Sequence, residues 1–137
     1  MIRLLGLLFV FSTLGACAQS TEGSKGTATE STPVNLDVNQ VSELLKNDKE
    51  VVLIDVRTPE EYQQGHLEGS ELLNFYDPKF KEEVAKLDKS KEYVIYCRSG
   101  GRSGSAVAQM QKMGFENVHN MKGGILAWNR ANLPTQN

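Results

Sequence analysis

The chain has 137 residues, which is enough for one domain but not for two independent cores. Its apolar residues, 39% of the total, support a folded interior, and its formal net charge of -2 argues against a nucleic-acid partner, which would call for a basic face. Its two cysteines, Cys17 and Cys97, lie in settings too different to imply a disulfide framework.

The first residues read as a targeting segment. Arg3 supplies a positive start, and Leu4 to Leu14 form an apolar run too short to span a bilayer. Leu14-Gly15-Ala16-Cys17 resembles the lipobox of bacterial lipoproteins. That resemblance implies a signal peptide over 1–16 and a lipid on Cys17, with the chain held at the periplasmic face of the cell envelope through this N-terminal lipid only. Ala16-Cys17-Ala18 also fits ordinary secretory cleavage after Ala18, which would release a soluble periplasmic protein. Residues 17–33 hold no large apolar side chain and read as a flexible tether.

A folded domain is expected over 34–137. Asp37, with Gln40 three residues on, caps a helix whose Val38, Val41, Leu44 and Leu45 share one face. Val51 to Ile54 is a continuous, β-branched run suited to a strand covered on both sides. Thr58-Pro59-Glu60-Glu61 opens a short helix that Gly65 ends, and Leu72 to Phe75 suggests a short strand. Asp77-Pro78 repeats the cap-plus-proline signal before a helix reaching about Leu87, with a solvated Lys and Glu face. A strand over 93–97, a helix over 103–113 stopped by Gly114, a strand near 117–121 and a helix over 125–131 complete the series. Strands alternating with helices predict an α/β fold, a small parallel sheet flanked by helices on both faces. Ligands of such sheets sit beyond the carboxyl ends of the strands, and Cys97 is at such an end.

The segment Tyr93-Val94-Ile95-Tyr96-Cys97-Arg98-Ser99-Gly100-Gly101-Arg102-Ser103 carries the chemistry. Gly100 and Gly101 permit positive torsions that turn successive N–H groups toward one point, a concavity that binds anions. Arg102 and Ser103 then open a helix whose positive end faces the same spot. Positive charge, amide donors and a helix start all favour the Cys97 thiolate, and Arg98 adds charge at the mouth. Elsewhere the plain structural reading is preferred. Asp55 and Arg57 form an ion pair, joined by Glu60 or Glu61, and His66 sits in a turn. His119 is a surface residue, and Ile125, Leu126 and Trp128 pack a helix on the sheet. No metal-ligand spacing is present.

Three segments together resemble a single-domain rhodanese, the sulfurtransferase fold. They are Asp55-Val56-Arg57-Thr58-Pro59-Glu60-Glu61-Tyr62 through Gly65-His66-Leu67-Glu68-Gly69-Ser70, the loop from Cys97 to Ser103, and Met113-Gly114-Phe115 through Val118 to Lys122-Gly123-Gly124 and Trp128. The loop from Cys97 to Arg102 has the length of the family's sulfur-transferring members. Related phosphatases and arsenate reductases use one residue more and an arginine where this chain has Ser103, so those activities are disfavoured. The resemblance implies a Cys97 persulfide, formed from a small sulfur anion or a persulfide and passed to a thiol acceptor without a cofactor. The loop amides of Ser99, Gly100, Gly101 and Ser103 would cradle the sulfur, and Arg102 would orient the anionic donor and reinforce the loop. Asp55, Arg57, Glu61 and His66 are read as structural support. The alternative is a persulfide carrier or sulfur-binding module that works with a protein partner in the envelope.

Overall fold

Residues 34–137 are described by the computed structural model. The expected signal peptide, the lipidation site Cys17 and the tether lie outside them. The order is β1 (Asn35–Leu36), α1 (Val38–Asn47), β2 (Val52–Asp55), α2 (Pro59–Gln63), β3 (Glu71–Leu72), α3 (Phe80–Ala85), β4 (Tyr93–Tyr96), α4 (Gly101–Lys112), β5 (Val118–Met121) and α5 (Gly124–Arg130). Every strand pair is parallel, and the sheet runs β1-β5-β4-β2-β3. This is the parallel α/β sheet with flanking helices that the alternating pattern predicts and the family resemblance implies.

Local chemistry explains most of the boundaries. Asp37 accepts the amides of Asn39 and Gln40 at 2.8 and 3.0 Å, and Gln40 Oε1 accepts the Asp37 amide at 2.9 Å, which closes a capping box on α1. Thr58 and Glu61 make the same reciprocal pair on α2. The second cap-plus-proline signal acts differently. Asp77 accepts the Lys79 amide at 2.8 Å and closes a turn, so α3 starts only at Phe80. The strand expected over 72–75 shrinks to Glu71–Leu72, the stretch in register with Ile54 and Asp55. β1 carries no pattern of its own and exists through its pairing with β5.

Side chains alternate across the sheet, so each strand feeds two cores. On one face Ile54, Tyr93, Ile95 and Val118 meet Phe80 and Val84 of α3 and Ala106, Val107 and Met110 of α4. On the other, Leu53, Val94, Tyr96 and Met121 meet Val38 and Val41 of α1 and Ile125 and Trp128 of α5. The strand order places β4 at the centre, and its carboxyl end opens where the winding direction reverses. Among the described residues no helix is long and apolar enough to cross a membrane.

Candidate active site

Cys97 follows the last residue of β4 and is only 1% exposed. Gly100 takes a φ of +99°, which reverses the chain and aims its amide at Cys97 Sγ, 3.1 Å away. Gly101 has no positive torsion, contrary to expectation. With the chain already turned, it is the first residue of α4, two positions before the predicted helix start. Ser103 is fully buried, with its hydroxyl 3.3 Å from the sulfur. Burial works against ionisation of Cys97. The Ser103 hydroxyl and the amides of Ser103, Gly100 and Ser99 outweigh it and hold the thiol below its ordinary pKa.

The first turn of α5 grips the loop from behind. The amides of Ile125 and Leu126 donate to the carbonyls of Cys97 and Arg98 at 2.9 and 3.2 Å. This approach requires a residue without a side chain at 124. Gly124 has a φ of +58°, and a Cβ there would stand 2.5 Å from the Arg98 carbonyl carbon and press on the Cys97 oxygen as well.

The two loop arginines have different surroundings. Arg102 places Nη1 and Nη2 on the two Glu61 oxygens, each at 2.7 Å, and its guanidinium lies 5.6 Å from the Tyr76 ring centre. That fork drives the Glu61 carboxyl down to about 2, against a smaller opposing effect of burial. The sequence suggests Glu60 or Glu61 as a third member of the Asp55–Arg57 pair, but both Glu61 oxygens go to Arg102 instead. Arg57 donates from Nε and Nη2 to Asp55, at 2.6 to 3.0 Å, and from Nη2 to the Gly65 carbonyl at 2.8 Å. Arg98, by contrast, is exposed, and it lines a cavity of about 220 Å³ together with Arg57, Glu61, Gly65, Ile125 and Leu126.

Other residues fall outside the loop. His66 stacks on Tyr62 at 3.7 Å, and its backbone pairs with Gln136, so it ties the segment around Gln136 to the end of α2. His119 is 1% exposed and not a surface residue, because β5 lies inside the sheet, and its Nε2 meets Glu92 at 3.0 Å. Ile125 and Trp128 pack on the sheet as expected. Leu126 does not. It stays 39% exposed and faces the cavity beside Arg98. Asn120 was missed by sequence reasoning. Its Oδ1 takes the Ser103 hydroxyl at 2.7 Å, and its Nδ2 reaches Gly100 O at 3.3 Å and Asn35 Oδ1 at 3.0 Å. The available signal was a polar residue two positions after Val118, on the strand face that packs against α4. Among the described residues no group of three or more His, Cys, Asp or Glu side chains is placed to hold a metal ion.

The chain is similar to known proteins in sequence and in fold. The profile of the family described as Rhodanese-like domain matches residues 37–131. A protein of Allochromatium vinosum named sulfurtransferase is 36% identical over 99 residues, covering 72% of this chain and 91% of its own length. The thiosulfate sulfurtransferase GlpE of Pseudoalteromonas translucida is 37% identical over 102 residues, with 71% and 90% covered. Among solved structures, a rhodanese-related protein from Thermoplasma volcanium superposes with a TM-score of 0.68 at 25% identity, covering 76% of this chain and 98% of that one.

Proposed function

This chain belongs to the rhodanese-like domain family, whose relatives are named sulfurtransferases, and on that premise we propose that it moves sulfane sulfur through a persulfide on Cys97. The observation that carries the reading is the buried Cys97 sulfur at the head of α4, which accepts from the Gly100 amide at 3.1 Å and lies 3.3 Å from the Ser103 hydroxyl, donors that favour its ionised form. The Cys97 thiolate attacks the outer sulfur of thiosulfate. A new S–S bond forms, the old one breaks, and sulfite leaves with the bonding pair. The outer sulfur of Cys97 then carries the negative charge, and preset amide dipoles stabilise it without reorganisation. A thiolate or cyanide attacks that outer sulfur in turn and returns the Cys97 thiolate. Arg98, exposed at the cavity, meets the anionic donor, while Arg102 stiffens the loop through Glu61.

Incubation with thiosulfate and intact-mass measurement test this directly. The expected result is a gain of one sulfur that Cys97→Ser abolishes. A wild-type chain that never takes up sulfur refutes it. Continuous consumption of thiosulfate marks an enzyme, whereas stoichiometric loading with slow release marks a carrier that serves an envelope partner. The lipobox-like Leu14-Gly15-Ala16-Cys17 supports export and lipid anchoring of the domain on the periplasmic side. Palmitate labelling of the expressed chain that Cys17→Ser abolishes is the expected outcome, and an unlabelled, freely soluble product refutes anchoring.

A further inference from the structure

Two groups compete for the one hydrogen of the Ser103 hydroxyl. Its Oγ lies 2.7 Å from Asn120 Oδ1 and 3.3 Å from Cys97 Sγ. A hydroxyl donates only once. Asn120 gains nothing by turning its amide around, because Nδ2 already donates to Gly100 O, and a flip would set two oxygens against each other. Ser103, Cys97 and Asn120 are 0%, 1% and 7% exposed, so bulk water offers little relief.

We propose that Asn120 is a positioning residue for Cys97, acting through Ser103: its Oδ1 draws the hydroxyl hydrogen away from the sulfur and favours the resting thiol. In that state the S–H donates to a Ser103 lone pair, and Ser103 donates to Asn120. On ionisation the thiol proton leaves for solvent, and the Ser103 hydrogen must swing to Sγ. Two oxygens are then left 2.7 Å apart with no hydrogen between them. The loop amides make the thiol acidic, and Asn120 limits how far. When Cys97 holds a second sulfur, the charge sits one atom farther out, and Ser103 returns to Asn120. Asn120 therefore favours thiol and persulfide over the bare thiolate. The persulfide step rests on the sulfur-transfer reading, but the ionisation step does not, so the test is made with no sulfur donor.

The titratable and charged groups on the elements around the loop include Arg98 within it, Arg102 and Lys112 on α4, Glu60 and Glu61 on α2, Asp55 at the end of β2 with Arg57 just after it, Tyr96 on β4, His119 on β5 and Arg130 on α5. All stay unchanged in the variants. In a Cys17→Ser background Cys97 is the sole thiol, and its ionisation is read from iodoacetamide rate against pH. Asn120→Ala is expected to raise the ionisation constant about tenfold, the size of one hydrogen bond to an anion. Ser103→Ala lowers it, and adding Asn120→Ala to Ser103→Ala changes nothing more. No shift in Asn120→Ala, or an equal shift with and without Ser103, overturns the proposal. A second measurement needs no Asn120 variant. The Raman S–H band of the parent at low pH should be that of a donating thiol and move to the free position in Ser103→Ala, and a free band in the parent overturns the proposal.

Discussion

Arg98 and Arg102 sit four residues apart and present the same group in opposite ways. Arg102 has both terminal nitrogens on Glu61, whereas Arg98 stands in the open at the cavity. Arg98→Ala is therefore expected to raise KM for thiosulfate about fivefold at low salt, less at high salt, and to leave the melting temperature unchanged. Steady-state kinetics at two ionic strengths check this. Arg57 is the reverse case. It pairs with Asp55, which is fully buried, so Arg57→Ala leaves a carboxylate stranded in the interior. A loss of about 3–5 kcal/mol is expected from the urea unfolding midpoint, with Asp55→Asn/Arg57→Met milder than Arg57→Ala.

Helices α2 and α4 are joined by the Glu61–Arg102 fork, whose side chains are 27% and 18% exposed. Glu61 has a folded pKa of about 2 against an ordinary 4.5. A depressed carboxyl stabilises the fold above its unfolded pKa, so this contribution is complete above about pH 4.5 and disappears as the pH falls toward 2. Discounted for solvent screening, it amounts to about 2 kcal/mol. Thermal melts from pH 6 to 2 should show Glu61→Gln less stable than the parent at pH 6 and closing on it at acid pH. Helix α5 depends on the bare backbone of Gly124. Gly124→Ala should push α5 off the Cys97 and Arg98 carbonyls, with a loss of about 3 kcal/mol or more and slower Cys97 alkylation. Elements with local causes were legible in the sequence: Asp37 with Gln40, Thr58 with Glu61, and the apolar runs of β2 and β4. Asp77 misled, because one carboxylate serves a turn as readily as a helix start, and the fold around it decides.

Across the whole molecule, the sheet order was not readable from the chain, yet it assembles the site. It sets β5 beside β4, which brings Asn120 to a loop more than fifteen residues earlier, and packing brings Glu61 to Arg102 across 41 positions. Neither pairing leaves a local signal. The nucleophile and its glycine turn do leave one, since a single continuous segment builds them. Cys97 is also where the global arrangement has its plainest effect, because it is buried at 1% exposure beside the exposed Arg98. A loaded sulfur adds about 2 Å of reach. On the sulfur-transfer reading proposed above, a donor would have to come in to the thiol, while an acceptor would be met that much farther out, so the two half-reactions would differ in the bulk they tolerate. On that reading small anions would suit the first, and the second would admit a cysteine mounted on something far larger.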